Sequence, residues 1–241
     1  MSRTPIPIVA LDVPDTTRAV ALLDRIGPAA DFVKVGLQLF VAEGPPVVRA
    51  MRERGVRVFL DLKLHDIPNT VARAVESVAG LDVQLLTLHA SGGARMLRAA
   101  REAAGAQGAG GPGLLAVTVL TSLAPAEVAE AWGRDAVDAG DEAGRLAGLA
   151  AEAGMDGVVA SVHEAGAIRA RAGDGLRILA PGIRRAGDAA GDQSRVATPA
   201  EAAAAGVDYV VIGRTVTAAH VPAAAMAAVL GELRGVPAGV A

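Results

Sequence analysis

The sequence predicts a closed barrel of eight parallel strands alternating with helices, a single (β/α)8 domain over residues 1–241. Three observations carry that prediction. Short runs rich in Val, Leu, Ile and Ala recur eight times, each followed by a stretch of helical pattern. Most of these runs end on a charged, imidazole or hydroxyl residue where a buried strand would otherwise stay apolar. The length of 241 residues suits such a barrel. An open doubly wound sheet is the alternative, and it usually carries a Gly-rich turn after its first strand. Here the first strand runs into Asp12-Val13-Pro14-Asp15, which offers no such turn.

Taken in order, the first strand is expected over 7–11, with Asp15, Thr16 and Thr17 capping a helix to residue 26. The second strand covers 31–36, where Lys34 interrupts a run of core residues. A helix over 45–54 closes at Gly55, and the central strand follows over 56–64. Pro68 opens a helix that Gly80 stops, and a strand over 83–88 leads into His89-Ala90-Ser91-Gly92-Gly93. After a helix over 94–104, residues 105–113 are Gly-rich and read as a flexible surface loop. That loop lacks the Lys-Ser/Thr ending of a phosphate-binding Walker loop.

The fifth strand is expected over 114–120, ending in Thr121-Ser122, before helices over 125–132 and 141–153. The sixth covers 157–160 and leads to a helix over 162–171. The seventh covers 177–180 and ends in Pro181-Gly182-Ile183-Arg184. A polar loop over 185–195 precedes a helix over 198–205, with Thr198 as cap and Glu201 at the reciprocal capping position. The eighth strand, 208–212, meets Gly213-Arg214, and a last helix covers 222–234.

Bulk composition narrows the function. The apolar fraction is 52% with only 2% aromatic, so the core must be built from Val, Leu, Ile and Ala. A formal charge of −3 and no long basic run argue against nucleic acid as a partner, without excluding one small phosphorylated ligand. There is no cysteine, which excludes disulfides, thiolate chemistry and zinc–thiolate sites. The first residues lack the apolar segment of a signal peptide, and no apolar run has membrane-spanning length. A cytoplasmic protein without a membrane partner is expected.

The central strand and the turn after it, residues 58–70, hold the densest chemistry. At a period of two, Phe59, Asp61 and Lys63 share one face, and Leu60, Leu62 and Leu64 share the other. A carboxylate and an ammonium near the end of a buried strand are expensive to desolvate unless they pair. Asp66 adds a third charge just past the strand. A buried pair that merely fixes strand register is the bland reading. The other strand ends weigh against it, because in a barrel they converge on one site. Those ends deliver Asp12, Lys34, His89, Thr121, Arg184 and Gly213-Arg214. The ends of strands seven and eight are where barrel enzymes usually place a phosphate pocket. Gly213 lets the backbone approach an oxyanion, and Arg214 supplies forked donors beside it. His89 is expected to support the pocket by packing or hydrogen bonding rather than by chemistry. His65 faces the same side as Lys63 only if the strand stays regular.

At these residues the chain closely resembles the orotidine 5′-phosphate decarboxylase family, in its bacterial branch. Asp61-Leu62-Lys63-Leu64-His65-Asp66-Ile67-Pro68-Asn69-Thr70 matches that family's central motif. Ala10-Leu11-Asp12, Val33-Lys34-Val35-Gly36, His89-Ala90-Ser91-Gly92-Gly93, Leu120-Thr121-Ser122, Pro181-Gly182-Ile183-Arg184, Gly191-Asp192-Gln193-Ser194-Arg195 and Gly213-Arg214 support it. The resemblance implies decarboxylation of orotidine 5′-phosphate to UMP without a cofactor or metal. It gives Lys63 the role of proton donor to C6, flanked by Asp61 and Asp66. Lys34 and Asp12 complete an alternating charge network that also holds ribose hydroxyls. Thr121 resembles a pyrimidine-side or ribose-side contact. Arg184, Gln193, Gly213 and Arg214 resemble the phosphate grip, with Gln193 on a closing loop. The resemblance also implies a homodimer in which Asp66 and Thr70 reach into the neighbouring subunit's site.

The chemistry is consistent with those residue types. Losing a carboxylate from an sp² ring carbon leaves an electron pair in the ring plane, where conjugation disperses it poorly. Fixed positive charge and rapid protonation are then the available remedies. The nearest alternative is a magnesium-dependent keto-sugar-phosphate decarboxylase on the same barrel, which shares the Asp-x-Lys-x-x-Asp pattern. Such enzymes carry a metal-binding carboxylate where Lys34 stands, and an ammonium there would repel magnesium. A degenerate barrel serving as a binding or structural protein would have lost one of the three charges, and none is lost.

Overall fold

The computed structural model describes residues 4–106, 111–189, 191 and 194–235. In it the eight strands close into a barrel in chain order, every neighbour parallel and the last paired with the first. The strands are β1 (Ile6–Ala10), β2 (Phe32–Gly36), β3 (Arg57–Leu64), β4 (Leu85–His89), β5 (Gly113–Val117), β6 (Gly157–Val159), β7 (Arg177–Ile183) and β8 (Tyr209–Ile212). Around them lie α1 (Thr16–Ile26), α2 (Leu37–Glu43), α3 (Pro45–Glu53), α4 (Pro68–Ala79) and α5 (Gly93–Gly105). The second half adds α6 (Pro125–Ala131), α7 (Ala139–Glu152), α8 (Ala165–Ala172), α9 (Pro199–Ala204), α10 (Arg214–Thr217) and α11 (Pro222–Leu233).

Local chemistry sets the helix starts. Proline opens α3, α4, α6, α9 and α11, where its missing N–H costs nothing and its fixed φ suits the first turn. Asp15 caps α1 by accepting the Arg18 N–H at 2.8 Å. Thr198 and Glu201 form the expected reciprocal cap on α9, at 3.2 and 2.7 Å.

Strand alternation divides the core in two. Residues of one parity, such as Val9, Val33, Leu60, Leu86, Leu114 and Val158, face outward and pack under the helices. Those of the other parity, Ile8, Ala10, Phe32, Phe59, Leu85, Leu115, Val117, Leu179, Tyr209 and Val211 among them, fill the barrel itself. The few aromatic residues concentrate in this inner cluster. Phe32 and Tyr209 meet edge to face at 6.4 Å, and the Arg57 guanidinium stacks over Phe32 at 4.6 Å. The lower barrel is therefore a packed plug, and chemistry is left to the layer above it.

The structure departs from the sequence reading in places. The helix α2 follows β2 directly, where no helix is expected, because Gly36 ends the strand and serves as the cap without a turn. β5 stops at Val117 rather than at residue 120, since Thr118 already turns its hydroxyl to the Val159 carbonyl at 3.0 Å. β7 continues to Ile183 with a register irregularity after Ala180. Gly105 belongs to α5 and Gly113 to β5, and residues 107–110 of the expected loop lie outside the described residues.

Candidate active site

Above the apolar plug, the next inward position on each of the first strands is charged. Lys34 shares the parity of Phe32 and lies in register with Ala10 and Phe59. Asp12 follows Ala10 just beyond β1, and Asp61 follows Phe59 on β3 in register with Gly36. These three therefore converge by strand alternation alone.

Lys63 arrives by a different route. Between Leu60 and Leu64, β3 advances four residues while its partner β4 advances only the two from Leu86 to Leu88. The two surplus residues form a bulge opposite Thr87, and Lys63 adopts a left-handed φ of 51° within it. A surplus of two keeps the alternation intact, so Asp61 and Lys63 both face inward while Leu62 and Leu64 pack on the outer core. Thr87, fully buried, stitches the bulge together. Its hydroxyl accepts the Lys63 backbone N–H and donates to Asp61 Oδ1, each at 2.9 Å.

The result is an alternating row of charges. Lys34 Nζ lies 2.8 Å from Asp12 Oδ1 and 3.8 Å from Asp61 Oδ2. Lys63 Nζ donates to both Asp61 oxygens at 2.8 Å. Two carboxylates and two ammonium groups thus alternate, which offsets the cost of desolvating the inner two, Lys34 and Asp61. Gly36 leaves room for this row, because a Cβ there would stand 2.8 Å from Lys34 Nζ.

A cavity of about 520 Å³ opens over these residues, ample for a nucleotide. It is lined by Asp12, Lys34, Asp61 and Lys63 on one side and by Thr121, Arg184, Gly213 and Arg214 on the other. Eight of the sequence-predicted residues are therefore gathered in one place. Arg184 is buried, its Nη1 and Nε donating to the carbonyls of Ile183 at 2.8 Å and Ala189 at 3.2 Å. The Arg214 guanidinium lies so close over Gly191 that a Cβ there would come within 2.3 Å of Nη2. Gln193 lies outside the described residues.

Asp66 and Thr70 are not brought into this cavity. Both are exposed on the rim, and Asp66 Oδ1 accepts the Ile67 N–H at 2.6 Å. His65 is exposed because it lies just past the end of β3, and its ring meets that of His89 at 5.4 Å. His89 ends β4 outside the cavity lining, near enough to Lys63 and Asp61 to feel both charges. Burial, with His65 and Lys63 adding to it and Asp61 opposing, pulls its pKa below the ordinary value. Thr87 was not among the residues the sequence singled out. Its signal was a hydroxyl set among leucines, two positions before His89 on the same strand face.

A closed parallel β/α barrel with a row of charges in a cavity at its C-terminal face is the TIM-barrel architecture on which barrel enzymes place their sites. The family model described as orotidine 5′-phosphate decarboxylase / HUMPS family matches residues 5–229, and the chain belongs to that family. It is 50% identical to the orotidine 5′-phosphate decarboxylase of Sodalis glossinidius over 227 residues, covering 94% of this chain and 89% of that one. Identity to the enzyme of the same name from Alkalilimnicola ehrlichii is 51% over 228 residues, with 94% and 95% covered. Among solved structures, orotidine 5′-phosphate decarboxylase from Lactobacillus acidophilus superposes with a TM-score of 0.83 at 34% identity, covering 96% and 99% of the two chains.

Proposed function

We propose that this chain decarboxylates orotidine 5′-phosphate to UMP and carbon dioxide, the last step of pyrimidine nucleotide synthesis de novo, and needs no cofactor to do so. The observation that carries the reading is the Asp12–Lys34–Asp61–Lys63 row at the floor of the cavity, in a chain of this family. As the bond from C6 to the carboxylate breaks, the electron pair stays on C6. Lys63 supplies the proton that quenches it and regains one from solvent. Two of its three N–H donors suffice for Asp61, which leaves one for the ring carbon. Asp61 also sets a negative charge near the departing carboxylate, and Lys34 keeps that carboxylate of the protein in place. Because the donors are fixed before substrate arrives, stabilisation costs little reorganisation during the reaction.

In this reading the phosphate is held by Arg214 and the Gly213 backbone, with Arg184 and Gln193 completing the grip. Binding of that remote group is converted into stabilisation at the ring. Thr121 faces the pyrimidine or ribose, and Asp12 and Lys34 hold ribose hydroxyls. The active form is a homodimer in which Asp66 and Thr70 complete the partner's site. Their exposure on the rim supports this, as does Ile67 between them, a large apolar side chain left 66% exposed. The protein works in the cytoplasm. Among the described residues no helix is long and apolar enough to cross a membrane.

The test is loss of orotidine 5′-phosphate followed by ultraviolet absorbance, with excess chelator present, for wild type and Lys63→Ala together. Turnover by wild type and a loss of several orders of magnitude in the variant are expected. Turnover only of a keto-sugar phosphate, and only after magnesium is restored, would assign the chain to the metal-dependent branch instead.

A further inference from the structure

The cavity wall formed by Leu120, Thr121 and Ser122 belongs to no strand or helix. Its backbone carbonyls are instead taken by the chain returning towards α9. The Ser194 N–H donates to the Thr121 carbonyl at 3.3 Å, and Ser194 Oγ to that of Ser122 at 2.6 Å. Arg195 Nη2 donates to the Leu120 carbonyl at 3.0 Å. The other end of the same guanidinium forms an ion pair with Glu164, which is 2% exposed. Glu164 is itself anchored, since its second oxygen accepts the Ser161 N–H at 2.8 Å just beyond β6. Neither Glu164 nor Arg195 lines the cavity.

This pair is poorly built for stability. Among the described residues Arg195 Nε is buried without a partner, and a buried ion pair carrying an orphan donor seldom outperforms apolar packing of the same volume. What the pair does provide is a rigid strut from β6 to the wall. We propose that Arg195 and Glu164 are positioning residues: the strut fixes the Leu120–Thr121–Ser122 wall, and so places Thr121 against the bound nucleotide. The proposal rests on the reading of Thr121 as a substrate contact. A misplacement of about 1 Å in such a contact is enough to cost roughly a hundredfold in rate.

The experiment uses the full chain and the variants Arg195→Met, Arg195→Met/Glu164→Gln and Thr121→Ala, with Arg195→Met also combined with Thr121→Ala. Glutamine at 164 keeps an oxygen for the Ser161 cap, so the double variant loses the charges together and tests the strut without leaving one charge stranded. Arg195→Met is expected to lower kcat/KM for orotidine 5′-phosphate roughly ten- to hundredfold. In the Thr121→Ala background the same change should cost much less, because both act through one contact. Amide hydrogen exchange over residues 118–123, measured without ligand, should quicken in both strut variants. Losses that simply multiply, or exchange that does not change, would overturn the proposal. If wild type fails to turn over the substrate, the function reading fails, and the exchange experiment still decides whether the strut holds the wall.

Discussion

Single atoms decide whether the charged row works. A methyl group at residue 36 would come within 2.8 Å of Lys34 Nζ and 3.4 Å of Asp12 Oδ1. Gly36→Ala should therefore push the ammonium out of line, lowering kcat/KM roughly ten- to hundredfold while melting within a few degrees of wild type. Thr87→Val keeps the volume but leaves Asp61 Oδ1 and the Lys63 N–H short of a partner. A loss of about 1–3 kcal/mol in urea denaturation is expected, together with reduced turnover. His89 sets a pH dependence. Its folded pKa lies below the ordinary 6.5, so the unfolded chain binds this proton first as pH falls. Stability is unaffected by it above that value and declines as pH drops from about 6.5 towards the lowered folded pKa. The melting temperature of His89→Gln should consequently vary less than that of wild type between pH 7 and 5.

Elements were legible to the extent that their boundaries carried punctuation. The strands expected over 56–64 and 208–212 stand between turn residues, and they form at Arg57–Leu64 and Tyr209–Ile212, each one residue shorter at its start. The helix α2 was hidden because Gly36 caps it with no Ser, Thr or Asp to announce a start. Charged strand ends betrayed most of the site, since a lysine or aspartate in an apolar run has few structural excuses. The bulge in β3 was not legible, because its cause is the pairing with β4 rather than any local propensity. The same holds for Arg195 and Glu164, 31 residues apart and meeting only in the fold. At this scale Glu142 makes a prediction. It ties α7 to Arg134 in the segment after α6, and hydrogen bonding from Arg145 on its own helix foremost holds its carboxyl below the ordinary 4.5. That stability is present above pH 4.5 and disappears as pH falls through the lowered value. Glu142→Gln should melt below wild type at pH 7, by about 2–4 °C for each kcal/mol lost, with the gap closing in acid.

For the molecule as a whole, the question is how many chains make one site. Asp66 and Thr70 stand exposed outside their own cavity, and Leu37 and Val41, one turn apart on α2, are 59% and 74% exposed. Apolar side chains left in water on α2, together with the exposed Asp66 and Thr70, suit the homodimer proposed above. Specific activity should then fall at dilutions where sedimentation shows the dimer separating. Mixing inactive Lys63→Ala and Asp66→Asn protomers should restore about a quarter of the sites, because half the dimers are mixed and each has one intact pair. Specific activity that stays constant through dissociation would remove Asp66 and Thr70 from the reaction.

The two surplus residues in β3 also say something about how such a gene can change. Removing the codons for Leu62 and Lys63 would leave Leu60, Asp61 and Leu64 opposite Leu86, Thr87 and Leu88, a pairing with no mismatch and no left-handed residue. The shortened protein should fold at least as readily as its parent and be inert. With the role proposed for Lys63, the shorter strand would discard the proton donor together with the bulge that carries it.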